Sequence, residues 1–535
     1  MFDSRKLLLM LWFPLFLLTT LMAGLGLTQG VPAQEILSTL IGERLCKEQA
    51  LRLQGGTIVC SQVLAQFYQK RCFLPAWSDP NAIADLIRAI RASEEDGLPS
   101  EDYHLAALEI LSRQTEEPLS PELIAERDLI MTDAIFRLSQ NLLYGKVNPQ
   151  TLFPDWNLSR TGTKVNLSQA VQEAIDAGQI TALMENLRPK NPYYLQLKQA
   201  LADYRAIAAQ GGWPQIPRGP VLKQGKKDRR LPMVRRRLAV TGDLEVSLAS
   251  NPSWVYDEET AQAVRRFQSR FGLKPTGIID PPTLEAMNTP VEQRLDQILV
   301  NLERARWVLR DPPGPYQVIV DIAGFTLFYA GPGGQWTTKV VVGQRYNKTP
   351  LIDSKIDKII FNPTWTVPQS IGEAEFLPKI ERNPAYLRTH HFRLVSRQPL
   401  QIVQEPGPWN ALGRVKFTFP NDFDVYLHDT PNRELFGEGT RTFSHGCIRV
   451  EKALDLAILL LNDPEWKRER INRVIESRKT DNVALKEPVP LSIVYRTVDL
   501  LPDGRLVFRP DVYQRDFAVL GALKRSSSLP SEPKR

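Results

Sequence analysis

Tyr316-Gln317-Val318-Ile319-Val320-Asp321-Ile322, followed by Thr326-Leu327-Phe328-Tyr329 and Thr338-Lys339-Val340-Val341-Val342-Gly343, decides the architecture of the C-terminal part of this chain. Polar and apolar side chains alternate, β-branched residues are frequent, and glycine-containing turns separate the runs, which is the pattern of consecutive strands. Further strands are expected near Ser354 to Phe361 and Asp424 to His428, with a helix after Val450. The segment 315–480 therefore reads as a mainly β domain, and 485–520 as C-terminal strands that complete it. Within it, about 365–420 is irregular and proline-spaced, too long for an ordinary connection, and is expected to be an inserted lid.

Upstream of these strands the period changes. Residues 290–307 repeat apolar side chains at helical spacing, and in 231–290 Ala261, Val264, Phe267 and Phe271 recur at steps of three and four, behind Asp257 as a helix cap. The segment 211–230 is rich in Gly and Pro and reads as a linker, and the basic cluster between Lys223 and Arg237 as a solvated part of it. Residues 35–210 are dominated by helix-period runs, for example Ala82 to Ile90 and Asp128 to Ile135, and form a helical scaffold. The fold class expected is thus multi-domain α+β: a helical scaffold domain, a small three-helix domain, and a mainly β domain with a lid.

The chain has 535 residues, which calls for several cores rather than one. An apolar fraction of 43% and a charged fraction of 24% exclude both disorder and a polytopic membrane protein. Lys and Arg exceed Asp and Glu by seven, an excess that suits an anionic surrounding, and no nucleic-acid-binding motif accompanies it. Arg5 and Lys6 precede an apolar run from Leu7 to about Leu27, so 1–33 is expected to be an export signal or an uncleaved N-terminal membrane anchor. The expected location is the periplasm or cell envelope, with an inner-membrane tether if the segment is retained. Cys46, Cys60 and Cys72 lie close together, and two of them are expected to pair in an oxidising compartment, whereas Cys447 stands alone. The tail 524–535 carries no chemistry and is expected to be disordered.

Tyr426-Leu427-His428-Asp429-Thr430-Pro431 and Phe443-Ser444-His445-Gly446-Cys447-Ile448-Arg449-Val450 place two of only five histidines within nineteen residues of Cys447. A thiol of ordinary pKa is a few per cent thiolate at neutral pH, and a nearby imidazole raises its reactivity. Cys447 is the candidate nucleophile and His428, at a strand end, its base. His445, two residues before the thiol, is given a supporting role. Gly446 allows close backbone approach, so that N–H groups around Cys447 can form an oxyanion hole, and Arg449 is a candidate to hold a substrate carboxylate. No carboxylate or third histidine stands at metal-ligand spacing, so neither a metal nor another cofactor is expected. His104, in the scaffold, and the adjacent His390 and His391, in the lid, are read as surface or capping residues.

The histidine, the spacer and the Ser-His-Gly-Cys run followed by Arg resemble the signature of YkuD-type L,D-transpeptidases. Asn362-Pro363-Thr364-Trp365-Thr366-Val367-Pro368, Val489 to Tyr495, Asp503-Gly504-Arg505 and Asp511-Val512-Tyr513 extend the resemblance. The segment 231–290 resembles the small peptidoglycan-binding domain, either gripping the wall or bracing its neighbour, and the order of segments is similar to the large YcbB-like branch. The resemblance implies a cysteine-dependent acyltransferase that joins peptidoglycan tetrapeptide stems, as donor and acceptor, into 3-3 cross-links, releasing D-alanine through a thioester. It implies a part in cell-wall biogenesis and cell shape, beside synthases or carboxypeptidases that supply tetrapeptides. It also places the orienting contact of His428 on Asp429, by its carbonyl or its carboxylate, and adds Ser444, Tyr426 and Trp365 as substrate contacts. The rivals are a wall-directed cysteine peptidase or L,D-carboxypeptidase, and a non-catalytic peptidoglycan-binding protein.

Overall fold

A computed structural model describes residues 32–41, 50–53, 56–59, 62–113, 119–153, 156, 165–312 and 314–525. The apolar run that begins at Leu7, Cys46, Cys60 and residues 526–535 lie outside the described residues. Cys72 is exposed and unbonded. No helix among the described residues is long and apolar enough to cross a membrane.

The N-terminal part is helical, built round α1 (Pro80–Ala92) and α2 (Pro121–Tyr144). Each begins with an oxygen-bearing cap and a proline in the first turn: Asp79 accepts from Asn81 N, and Ser120 from Leu123 N. Buried Asp128 on α2 is tolerated because Ala76 N, Trp77 N and the Tyr68 hydroxyl all donate to it. His104 is a helix C-cap in the left-handed region whose Nε2 lies 2.8 Å from Asp133, so it is tied into the scaffold rather than free at the surface.

Helices α3 (Pro192–Ala209) and, further along, α4 (Leu231–Val240), α5 (Glu258–Arg270), α6 (Pro281–Asn288) and α7 (Val291–Val308) follow. The long α7 is the spine of the molecule. Its Ile298, Leu302 and Ala305 enter the core of the small helical domain, while Val300 and Trp307 enter that of the β domain. At its C-terminal end Glu303 binds Arg306, Val147 N and the Trp307 indole, and Arg306 reaches the carbonyl of Asp96. Asp96 in turn accepts from Arg188 and the Tyr194 hydroxyl, and the flanking cations Arg188, Lys198 and Arg306 outweigh burial and keep its carboxyl below its usual range.

The basic cluster departs from the solvated linker expected. Lys223, Lys226, Lys227, Arg229 and Arg236 are exposed, but Arg230, Arg235 and Arg237 are buried, and so are Trp213, Ile216 and Leu222 on the preceding stretch. Arg235 fans its guanidinium over the carbonyls of Ser253 and Val255 and the Asp257 carboxylate, stapling the loop before α5. Arg237 donates to Met287 O and lies 3.9 Å from the centre of the Trp213 ring. Charge counting sees the cations; it does not see the carbonyls that the fold turns towards them.

The β domain contains β1 (Gln317–Asp321), β2 (Thr326–Gly331), β3 (Gly334–Gly343) and β4 (Ile352–Phe361). A small three-stranded sheet follows, of β5 (Trp365–Thr366), β6 (Phe392–Arg397) and β7 (Leu400–Gln404). The main sheet resumes with β8 (Val415–Thr418), β9 (Leu427–His428), β10 (Thr442–Ser444), β11 (Ile448–Val450) and β12 (Asp481–Val494). Strand order in the main sheet is β10-β3-β11-β9-β8-β4-β12-β1-β2, and an added β2–β3 pairing closes the sheet on itself. Helix α8 (Ala453–Leu461) supplies Leu456, Ala457 and Leu460 to its core.

The C-terminal strands divide between two domains. β12 completes the main sheet, but the hairpin β13 (Val498–Leu500) and β14 (Leu506–Phe508) joins the core of the small helical domain through Val498, Leu506 and Phe508. Phe508 stacks on Phe271 at 5.4 Å, so the small domain is braced against the chain that leaves the β domain.

Candidate active site

The site follows from strand alternation. Val415 and Phe417 on β8, Leu427 on β9, and Ile448 and Val450 on β11 are fully buried in the core. Their neighbours Lys416, Tyr426, His428, Cys447 and Arg449 therefore share the opposite face. Register brings them together: β8 sets Lys416 against His428, and the parallel pairing of β9 with β11 sets His428 against Arg449. The Ile448 N–H donates to Tyr426 O, which leaves Cys447 beside Tyr426 at the end of the ladder.

His428 is 5% exposed. Its Nδ1 lies 2.5 Å from the backbone oxygen of Asp429. A carbonyl only accepts, so Nδ1 carries the proton and Nε2 presents its lone pair. Burial first, then the Arg449 charge, pushes the imidazole pKa down to about 3, so the ring is neutral at physiological pH. The carboxylate of Asp429 is engaged elsewhere, accepting from Arg414 N and Nε at 3.0 and 2.9 Å and pairing with Arg433. The backbone oxygen, and not the carboxylate, orients the ring.

The Cys447 thiol interacts with the Tyr426 phenol and lies 3.9 Å from Asp424 O. Burial raises its pKa, and Tyr426, Lys416 and Arg449 oppose that rise. No hydrogen bond joins the thiol to His428 among the described residues; in unliganded sites such contacts are often long and tighten on substrate binding. Arg449 is partly buried, and among the described residues its Nε has no acceptor. The Tyr426 phenol also meets the indole of Trp365, which packs against Phe376 and Phe392 of the small sheet and its helices. That subdomain thus overhangs the thiol.

Ser444 is used otherwise than as a substrate contact, and His445 makes a contact that its spacing did not indicate. Ser444 is buried, and its hydroxyl bonds Cys447 O and Gly446 N, so it closes the loop rather than facing outward. His445 is exposed and its Nε2 lies 3.0 Å from Glu375 of the overhanging subdomain. Of the remaining histidines, His390 stacks on Tyr386 and His391 on Trp409, both exposed.

Gly446 has φ of +117°, a conformation L side chains rarely adopt. Its carbonyl accepts from the Thr349 hydroxyl at 2.8 Å, which itself accepts from Gly343 N. The Tyr513 hydroxyl donates to Gly343 O at 2.7 Å and accepts from Thr349 N, and Tyr513 N donates to the Tyr495 hydroxyl. The loop is therefore held from behind by the C-terminal segment. Thr349 and Lys416 were not singled out from sequence; Lys416 was findable only from the Val415-Lys416-Phe417 alternation combined with the pairing of β8. Tyr513→Phe strands the buried Gly343 carbonyl and Thr349 amide, and is expected to destabilise the protein by about 1–3 kcal/mol. It should lower kcat with KM little changed, which denaturant titration and steady-state kinetics would check.

Residues 315–474 match the family model of the L,D-transpeptidase catalytic domain, 232–287 that of a "Putative peptidoglycan binding domain", and 62–201 that of a scaffold domain. A "Putative L,D-transpeptidase" of Haemophilus influenzae is 32% identical over 248 residues, 43% of this chain and 50% of the relative. The chain thus aligns with about half the length of that relative. Among solved structures, the L,D-transpeptidase of Stackebrandtia nassauensis aligns at 14% identity over 52% of this chain and 96% of its own, with a TM-score of 0.20. That of Xylanimonas cellulosilytica aligns at 14% over 52% and 99%, with a TM-score of 0.18.

Proposed function

We propose that this chain, whose residues 315–474 form an L,D-transpeptidase catalytic domain of the YkuD type, makes 3-3 cross-links in peptidoglycan through a thioester on Cys447. The observation that carries the reading is the single face shared by the thiol, a neutral imidazole that presents its Nε2 lone pair, and a guanidinium whose Nε lacks an acceptor among the described residues. In the donor step Cys447 Sγ attacks the carbonyl at the L-centre of diaminopimelate in a tetrapeptide stem, and its proton passes to His428 Nε2. The tetrahedral oxyanion is received by the backbone N–H of Cys447, since Gly446 N already donates to Ser444 and Ile448 N to Tyr426 O. As the C–N bond breaks, His428 returns the proton to the departing D-alanine amine, leaving the thioester. The side-chain amine of a second stem then attacks, His428 takes its proton, and the thiol leaves and is reprotonated.

Arg449 gives this sequence a trigger. Its charge stands beside His428 and depresses the basicity of the ring. A donor carboxylate bound to the guanidinium offsets that charge and makes Nε2 a stronger base when substrate is present. Asp429 orients the ring through its carbonyl, while Tyr426 and Trp365 line the donor side. His445 supports the site by holding the overhanging subdomain through Glu375, which makes that subdomain a lid. The apolar N-terminal segment supports export to the periplasm or cell envelope. The shared core of the small domain and the β13–β14 hairpin supports a bracing role for the peptidoglycan-binding domain.

The test is mass spectrometry of protein lacking residues 1–33 after incubation with disaccharide-tetrapeptide, beside a Cys447→Ala control. A cross-linked dimer lacking one D-alanine, absent from the control, is the expected product. Tripeptide monomer with free D-alanine would instead assign a carboxypeptidase. No conversion in either sample would refute the reading.

A further inference from the structure

Lys416 takes no part in the mechanism above, yet it stands among the reacting groups. β8 sets it directly against His428, and its ammonium lies 3.6 Å from the centre of the Tyr426 ring. Tyr426 in turn touches the Cys447 thiol through its phenol. Lys416 is partly buried, and among the described residues its ammonium has neither a hydrogen-bond nor an ion-pair partner. A lysine taken from water, with Asp424 acting on it only through space and no carboxylate in contact, is stabilised further when a negative charge arises beside it.

That charge is the sulfur. In many cysteine enzymes an imidazolium stabilises the thiolate, but His428 is buried, neutral, and flanked by Arg449. The charged groups facing the thiol from the surrounding elements are Lys416 on β8, Arg449 on β11 and Asp424 in the turn before β9. Lys358 on β4, two residues from the partner of Lys416 and so on the same face, repels the Lys416 charge, and Glu434 offsets part of the Arg449 charge. From the overhanging subdomain the neutral Trp365 reaches this group through Tyr426.

We propose that Lys416 is the fixed cation that stabilises the Cys447 thiolate, its ammonium remaining protonated while the thiol proton leaves. The inference rests on Cys447 being the nucleophile, and it adds a residue outside the Ser-His-Gly-Cys signature to the site.

The experiment is alkylation by iodoacetamide, a neutral probe that needs no stem peptide, followed between pH 6 and 11 by mass spectrometry of the peptide containing Cys447. Displacement of iodide by the thiolate reports the thiolate fraction. Lys416→Met is expected to raise the apparent thiol pKa by about one unit, which is about tenfold slower labelling on the rising limb. Lys416→Arg, which keeps a cation there, is expected to restore the wild-type profile. Superposition of the Lys416→Met and wild-type profiles would overturn the proposal. So would an equal displacement in Lys416→Arg and Lys416→Met, because packing and not charge would then be responsible. Loss of cross-linking in a wild-type protein with this thiol profile would count against the proposed function and leave the role of Lys416 standing.

Discussion

His428→Ala is expected to lower kcat for stem transfer by about 10²- to 10⁴-fold, the range for losing a positioned general acid–base, with the scaffold and the small helical domain unaffected. The expectation follows from what the ring does in three positions of the cycle, accepting from the thiol, donating to D-alanine and accepting from the incoming amine. Its tautomer is fixed by the Asp429 carbonyl 2.5 Å from Nδ1. Because burial holds the folded-state pKa near 3, no acid limb from this residue should appear in kcat/KM near pH 6.5. The same shift has a stability consequence. A histidine whose pKa is depressed on folding contributes stability that is present above its unfolded pKa of about 6.5 and is lost as pH falls towards the folded value. Wild-type protein should therefore lose more stability than His428→Ala on acidification through that window. Denaturant titrations of both proteins at neutral and acidic pH isolate the difference, since the carboxylates titrate alike in each. Equal losses, or a kcat within a few-fold of wild type, would remove His428 from the proposed role.

The class of the fold was legible because its signals are local. Alternation from Tyr316 to Gly343 reports a face buried against a core, and β1, β2 and β3 lie there. Asp257 announced its helix because an N-cap is set by neighbours three residues away, and it accepts from Thr260 N. What escaped was non-local. Arg235 looks like any cation in a basic run until the loop carbonyls of Ser253 and Val255 are folded over it. Ser444 and His445 directly precede the glycine and the thiol in sequence, but as adjacent residues they point apart, one side chain into the loop and the other towards Glu375. Lys416 and Thr349 reach the site only through strand pairings and a tyrosine more than a hundred residues away from Thr349, which no spacing rule encodes. Cys447 and His428 were nameable as a candidate pair because few residue types activate a thiol; what places them on one face is the parallel pairing of two very short strands.

Gly446→Ala is the second variant with a large expected effect, and its cause separates backbone strain from crowding. An added Cβ would meet only Lys348 O at 3.8 Å and Val425 Cγ2 at 4.0 Å, both ordinary contacts. There is room for a methyl group. The obstacle is φ of +117°, where an L-residue is strained by about 1–3 kcal/mol. Alanine is expected to relieve that strain by rotating the peptide towards negative φ. The rotation moves the Gly446 carbonyl off Thr349 and turns the Cys447 N–H, the next amide along, away from the position the oxyanion would occupy. Loss of one oxyanion donor lowers kcat by about 10²- to 10³-fold in acyl-transfer enzymes, and a loss of that size is expected here. KM should change far less, because Arg449 lies on β11 and Tyr426 immediately before β9, both outside the turn at Gly446. Iodoacetamide labelling of Cys447 should also persist within a few-fold, since displacement of iodide develops no oxyanion. A variant in which labelling and transfer fall together would instead mean that the loop had moved the sulfur itself, and the oxyanion role of this backbone would have to be given up.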